Sequence, residues 1–522
     1  MNDSSVISER AWRGASLGIL LVAAILRFFW LDLKPLHHDE SVNGFFLARL
    51  LHEGIYQYDP ANYHGPTLYY FALPFASLLG LNTFALRLVT VLSGLGCVWL
   101  ILQLRRRIGE VGALAAAALV AVSPGAVYLS RYLIHEALFL FFTLGIVVAA
   151  ERFSNRWRQR DLLLASLCAA LLFATKETAF ISAGVLILAT VLAWSLTGFV
   201  RQRTQAQAKF AVEKNDKRRR QSAKPARFTM SEEAPWLLAR CGGWSRLLPL
   251  LGAALGVFIF VNILFYSSFF QHGKGVTDAL ETFKVWARTG TSDFHRKPLD
   301  TYLWWLLQEE APLLALGVLG AVLAVIRANN RFALFVALWA FGLLAAYSLV
   351  PYKTPWLMLN FIVPLAIIGG YGVDVLYRKK IALKRAALAL TGVAVAIGTY
   401  QTIALNFFHY DDDRYPYVYA HTRREFLELV RDINRIAERV GTKTETSIAV
   451  ASPDYWPLPW YLRDYKRVGY HGRVGTHNEA MVIGSSTQGN ELKAALGDRY
   501  RQISSRTLRP GVELVLYVRR DL

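Results

Sequence analysis

Charge is scarce in this chain, acidic charge most of all. Only 18% of its 522 residues are charged, and 38 Asp and Glu stand against 58 Lys and Arg. A soluble domain carries about a quarter charged residues and about 45–50% apolar ones, whereas here 54% are apolar. A simple soluble enzyme and a disordered chain are both excluded. The apolar residues gather in runs of about 17–25, the length a helix needs to cross a bilayer. They do not alternate, which excludes a β-barrel. Cysteine is nearly absent: Cys97 and Cys168 lie in apolar runs and Cys241 in a basic loop, so no disulfide framework is expected. No glycine-rich phosphate loop or dinucleotide fingerprint occurs either. The chain reads as an all-α polytopic membrane protein.

The net charge of +20 is concentrated beside the apolar runs, in Arg105–Arg107, Arg156–Arg160, Arg218–Arg220 and Arg378–Lys380. Basic clusters there fix membrane orientation, so nucleic acid is not expected as a partner. The runs predict eleven spans, near 14–31, 82–104, 111–129, 133–151, 160–175, 178–199, 248–269, 302–326, 332–350, 356–377 and 386–405. The first lacks a cleavage site and carries Arg27, so it reads as a retained span rather than a signal peptide. A further apolar stretch, Pro66–Leu81, is expected at the interface, because a crossing there would put every basic cluster outside. The N-terminus is then cytoplasmic in a cell (inner) membrane. Residues 1–405 form the membrane domain, with outer loops at 32–81 and 270–301 and a flexible basic cytoplasmic loop at 200–248.

Beyond 405 the composition turns polar. Strands are predicted at Ser447–Ser452, Gly511–Val518 and Ala480–Ile483. Apolar residues Phe426, Leu427, Val430, Ile433 and Ala437 mark a helix over Arg423–Val440. Residues 406–522 therefore read as a small extracytoplasmic α/β domain.

With this topology the chemically interesting residues fall outside. Asp39 and Glu40 follow the first span, either as charges suited to the start of a helix over Ser41–Leu51 or as a general base. His37, His38 and His64 are metal-ligand types, but neighbouring residues rarely point one way. No cofactor is expected, and that trio is the weak alternative for a divalent metal. Arg131, Lys176 and Lys353 sit at the outer ends of three spans, each alone a snorkelling side chain, together a cradle for phosphate. Glu136 and Glu177 are placed to pair with them. Tyr352 to Trp356 and the tyrosines at 56, 58, 63, 69 and 70 supply the aromatic belt of a membrane boundary or a surface for sugar rings.

The order of these motifs is distinctive: Asp39-Glu40, His64-Gly65-Pro66-Thr67-Leu68-Tyr69-Tyr70, Ser130-Arg131 with Glu136, Thr175-Lys176-Glu177, then Lys353-Thr354-Pro355-Trp356 leading to Pro364. Over about residues 14–405 it resembles the integral-membrane glycosyltransferases of the C fold. The likeness is to protein O-mannosyltransferases, the bacterial aminoarabinose transferase of lipid A, and a prokaryotic flippase-associated branch. The resemblance implies transfer of a hexosyl or pentosyl group from a polyprenyl-phosphate sugar to a lipid, glycan or protein acceptor, at the outer face and with inversion. Asp39 takes the position of the catalytic carboxylate and Glu40 that of its acceptor-orienting neighbour. Arg131, Lys176 and Lys353 take cationic positions, some of which contact the lipid phosphate. His38, His64, Tyr69, Glu136 and Tyr352 are expected to position substrate. The family often has Lys- or His-Pro-Pro where this chain has His64-Gly65-Pro66. The rival reading is a non-catalytic partner in handling or flipping polyprenyl-linked glycans. A transporter is disfavoured, since the spans carry few carboxylates and no paired broken helices.

Overall fold

The computed structural model describes residues 7–62, 64–215, 243–290 and 296–522. Tyr63, Cys241 and the Arg218–Arg220 cluster lie outside the described residues. Eight described helices are long and apolar enough to cross a membrane, and ten if each of two bent pairs counts as one span. The eleventh predicted span, 160–175, is helix Gln159–Phe173. Its 15 residues reach about 22 Å, short of a hydrocarbon core about 30 Å thick. Thr67–Leu79, with 13 residues, is shorter still.

Two predicted spans are broken. In 111–129 the chain bends by 58° between Glu110–Ala121 and Pro124–Ser130, because Pro124 starts a new helix capped by Ser123. The stretch 302–326 is not one span: Thr301–Glu309 turns by 112° into Ala311–Arg327. Glu309 and Glu310 stand at the corner with Pro312 just inside the second helix. Two carboxylates are costly in lipid, and only Ala311–Arg327 continues as an apolar rod.

The basic loop also departs from expectation, since helix Ala179–Asn215 runs through its first part. Arg, Gln, Ala and Lys there are good helix formers and extend the turn already nucleated in the membrane. The outer loop 270–301 likewise contains a helix, Lys274–Gly290.

Helix Pro355–Tyr377 is the axis of the bundle, with 94% of its span buried. Trp244–Tyr266 is 6% buried and Ile381–Phe408 is 17% buried, yet both are strongly apolar. Such exposed apolar helices need lipid as their solvent.

The C-terminal domain is a five-stranded sheet of order β2-β1-β3-β5-β4, built from β1 (Ser447–Val450), β2 (Arg467–Tyr470), β3 (Met481–Ser485), β4 (Tyr500–Arg509) and β5 (Val512–Arg519). β1 runs parallel to β2 and β3, while β5 is antiparallel to β3 and β4. Helix Phe426–Val440 buries Phe426, Leu429 and Ile433 against Ile448, Val450, Met481 and Ile483 on one face. The other face carries Ala449, Val482, Leu492 and Leu496. The two edge strands, β2 and β4, were not anticipated from the sequence. β2 is four residues long with a central glycine, and β4 reads YRQISSRTLR, too polar to stand out.

The domain sits on the loop region 32–81. Thr422 Oγ1 donates to Leu36 O (2.7 Å), the Tyr461 hydroxyl accepts from Leu36 N–H (2.9 Å), and Arg463 Nη2 donates to Leu81 O (3.1 Å). Asp39 and the C-terminal domain therefore share one end of the bundle. At the other end Arg105 meets Glu9 and Arg107 meets Glu151.

Candidate active site

Helix His38–Glu53 begins the site, and its start is fixed by a reciprocal cap. His37 Nδ1 accepts from Asp39 N–H (3.1 Å), and the Glu40 carboxylate accepts from His37 N–H (3.2 Å). An acceptor at Nδ1 requires the proton on Nε2, which points to Tyr419 O at 3.2 Å. The neutral ring is thus built in. Burial pushes the His37 pKa down, against the pull of Asp39 and Glu40, and burial lowers that of His38 as well.

The two adjacent carboxylates differ completely in environment. Glu40 is fully buried and takes a two-pronged contact from Arg87: Nε to Oε1 at 2.7 Å and Nη2 to Oε2 at 2.8 Å. Oε1 also accepts from Leu133 N–H (2.9 Å). Burial alone would raise this carboxyl's pKa; the Arg87 charge and hydrogen bonds outweigh it and hold the value below the ordinary range. Asp39, one residue earlier, has a side chain 43% exposed. Among the described residues nothing donates a hydrogen bond to its carboxylate, and His37 Nδ1 stands 3.9 Å away.

The predicted cations are already engaged. Arg131 is buried, and its guanidinium donates to the carbonyls of Leu26 (3.1 Å), Arg27 (3.2 Å), Phe29 (2.6 Å) and Trp30 (2.6 Å). It thereby satisfies the last turn of helix Glu9–Phe28. Lys176 forms a buried ion pair with Glu136. Lys353 is buried too, but among the described residues its ammonium is held by one carbonyl, Val350 O at 2.6 Å. Among the described residues the three share no hydrogen-bond partner.

His64, Tyr69, Glu136 and Glu177 join one network. His64 Nδ1 lies 2.9 Å from Glu177 Oε2, and its ring centroid 4.7 Å from that of His135. The Tyr69 hydroxyl donates to Asn43 Oδ1 (3.0 Å), and Asn43 donates to Leu133 O (2.9 Å). The helix carrying Asp39 is thus tied to the His64 cluster through Tyr69. The His64-Gly65-Pro66 stretch docks on the Thr175 motif: Gly65 N–H donates to Thr175 O and Thr67 N–H to Ala174 O. A Cβ on Gly65 would lie 2.0 Å from Ala174 O. Close backbone approach, then, is why glycine stands there. Tyr352 pairs through its backbone with Arg296. His37, His38 and His64 do not form a metal group; among the described residues the ligand types that converge are His471, His477 and Glu479.

Several residues around Asp39 had not been singled out from the sequence. Lys34 is buried with its ammonium 3.6 Å from the Tyr128 ring centroid. Burial, then the Arg87 charge, push its pKa well down. From the C-terminal domain, the His421 ring stacks on His37 at 5.4 Å and Trp456 lies 6.0 Å from His38. Arg509 Nη2 donates to Asp454 Oδ1 at 2.5 Å, and the charges of both reach His38. Trp356 and Tyr132 complete an aromatic surround of His37. Arg87 and Lys34 could have been found as isolated cations in or beside apolar runs; the C-terminal residues had no sequence signal.

Residues 63–208 match the family described as dolichyl-phosphate-mannose-protein mannosyltransferase. No curated protein matches the chain significantly by sequence. Among solved structures, ArnT from Cupriavidus metallidurans in the apo state superposes with a TM-score of 0.64 at 13% identity, covering 97% of this chain and 98% of that one. The same protein bound to undecaprenyl phosphate gives 0.64 at 13% identity, covering 98% of both chains. The Archaeoglobus fulgidus oligosaccharyltransferase, in complex with Zn and sulfate, gives 0.53 at 14% identity over 92% of this chain and 69% of that one. A helical bundle with an α/β domain docked over its first loop, superposed end to end on ArnT, gives this chain the glycosyltransferase C fold.

Proposed function

We propose that the chain transfers a sugar from a polyprenyl-phosphate donor to an acceptor hydroxyl on a lipid, glycan or protein, with inversion and with Asp39 as general base. One observation carries the reading: of two adjacent carboxylates at the start of one helix, Glu40 is spent on Arg87 while Asp39 is 43% exposed and accepts no hydrogen bond among the described residues. A base must reach the proton it removes, and only Asp39 of the two can. The acceptor oxygen attacks the anomeric carbon as its proton passes to Asp39, and the carbon–oxygen bond to phosphate breaks with its electron pair leaving on the phosphate. Fixed positive charge near that phosphate lowers the barrier. We assign that role first to Lys353, whose single carbonyl partner among the described residues leaves two ammonium hydrogens for a ligand. Arg131 and Lys176 act behind it, holding the first helix end and Glu136. The undecaprenyl phosphate bound by ArnT supports a lipid-phosphate donor.

Orientation follows from charge. Arg105–Arg107 and Arg378 lie at the helix ends opposite Asp39, and basic ends face the cytoplasm. The active end and the C-terminal domain then face outward from the cell (inner) membrane.

The test compares wild type with Asp39→Asn in detergent, supplied with radiolabelled polyprenyl-phosphate sugars and host membrane extract. Loss of a positioned base costs about 10²–10⁴-fold in rate, so transfer by the variant should fall by that factor while donor binding persists. Equal transfer by both proteins would remove Asp39 from the mechanism. Donor binding without transfer by either would favour the glycan-handling role.

A further inference from the structure

We propose that His471, His477 and Glu479 of the C-terminal domain form a binding site for a divalent transition-metal ion of the zinc class, separate from the transfer chemistry. One ligand atom from each lies within 4.8 Å of the other two. Ligand atoms about 2.1 Å from a tetrahedral ion stand about 3.4 Å apart. His477 Nδ1 and Glu479 Oε2 are already 3.3 Å apart. The exposed His471 ring needs only a side-chain adjustment to close the set.

The surroundings are those of a built site. His477 is 4% exposed, and Nδ1 is the ring nitrogen that faces Glu479. The segment bearing the ligands is pinned at both ends. His471 N–H donates to Val450 O (2.8 Å), the Tyr500 hydroxyl to Glu479 O (2.8 Å), and Ala480 N–H to Ser447 Oγ (3.0 Å). Arg499 and Arg519 hold the Asn478 side chain and carbonyl between the ligands. Gly469 makes room: a Cβ there would lie 2.6 Å from His471 Nε2. Fixed backbone and yielding space are what a preorganised ligand set needs.

The donor set selects the ion. Two imidazoles and one carboxylate suit zinc, cobalt or nickel, whereas magnesium and calcium prefer oxygen ligands. Three protein ligands leave a fourth position for water. Gly469 pairs with Ala449, and Ala449 packs on the face with Leu492 and Leu496, away from the face that meets helix Phe426–Val440. The ion thus clips the β2–β3 crossover onto the sheet, on the face away from the contacts with the outer loops.

The full-length, tag-free protein in detergent, stripped with chelator and titrated with CoCl₂, tests this. Wild type should take up one equivalent with the visible absorption of tetrahedral cobalt, displaced by ZnCl₂. His471→Ala and His477→Ala should lose the band, and Glu479→Gln should bind at least tenfold more weakly. Because His471 is exposed, His471→Ala decides the matter even if His477→Ala fails to fold. A wild type without the band, or an unchanged band in His471→Ala, overturns the site. Transfer activity is read in parallel; its loss in Asp39→Asn leaves cobalt binding untouched, so the two proposals fail independently.

Discussion

A single proton position on His37 sets much of the candidate site. Nδ1 receives the N–H of Asp39 and Nε2 faces Tyr419 O, so a second proton would turn the cap acceptor into a donor. His421, stacked on the same ring, is also pushed well below its ordinary pKa, first by burial and then by the Lys34 charge. The unfolded chain takes up protons on both rings near pH 6.5, whereas burial in the folded chain displaces that uptake to lower pH. Stability is therefore complete above about pH 7 and falls as pH drops below about 6.5, by about 1.4 kcal/mol per pH unit for each ring held neutral. Melting temperature in detergent, followed from about pH 7.5 to 5.5, should decline. His421→Phe keeps an aromatic ring and removes one titration, so its decline should be shallower. Equal slopes in the two proteins would exclude His421. At this scale the residue types alone left Asp39 and Glu40 equivalent, and the resemblance alone gave them different roles. Both are carboxylates at a helix start, and what distinguishes them, Arg87 and the Leu133 N–H on Glu40, comes from 47 and 93 residues away.

Elements were legible where the bilayer dictates them. A span must be long and apolar whatever it packs against, so the runs predicted from sequence coincide with helices. The corner at Glu309–Glu310 was missed because apolar residues on both sides masked two carboxylates and a proline in the middle. Loop-to-loop contacts depend on tertiary approach, and the docking of His64-Gly65-Pro66 on Thr175 is one. Its signal was the glycine, which had been noted only as a departure from a resembling family. Gly65→Ala would drive a methyl to 2.0 Å from Ala174 O, too close for either backbone to keep its place. The variant should lose several degrees of melting temperature, since about 1 kcal/mol moves a 150–250-residue domain by about 2–4 °C and overpacking costs about 1–3 kcal/mol. It should also weaken transfer by separating His64 from Glu177. A melting temperature and activity equal to wild type would mean that the Gly65–Ala174 approach can open without cost.

At the scale of the whole molecule, the C-terminal domain belongs to the active end rather than trailing from it. Composition suggested a small α/β domain with a helix and three strands, but not that Tyr419, His421 and Trp456 would surround His37 and His38. Those contacts join segments almost 400 residues apart, and no local pattern records them. The docking makes a topological demand: residues of the first outer loop and of the domain must lie on one side of the membrane, and Arg105–Arg107 on the other. The proposed orientation, drawn from positive charge, has the latter in the cytoplasm. In a cysteine-free background, single cysteines at His52 and Glu513 should react with a membrane-impermeant maleimide in intact cells. A cysteine at Arg106 should react only after permeabilisation. Labelling of Arg106→Cys alone in intact cells would invert the orientation and leave the fold standing, carrying Asp39 to the cytoplasmic face. A split between His52 and Glu513 would be more damaging, because Thr422 could not then reach Leu36, and a site assembled from both ends of the chain could not form.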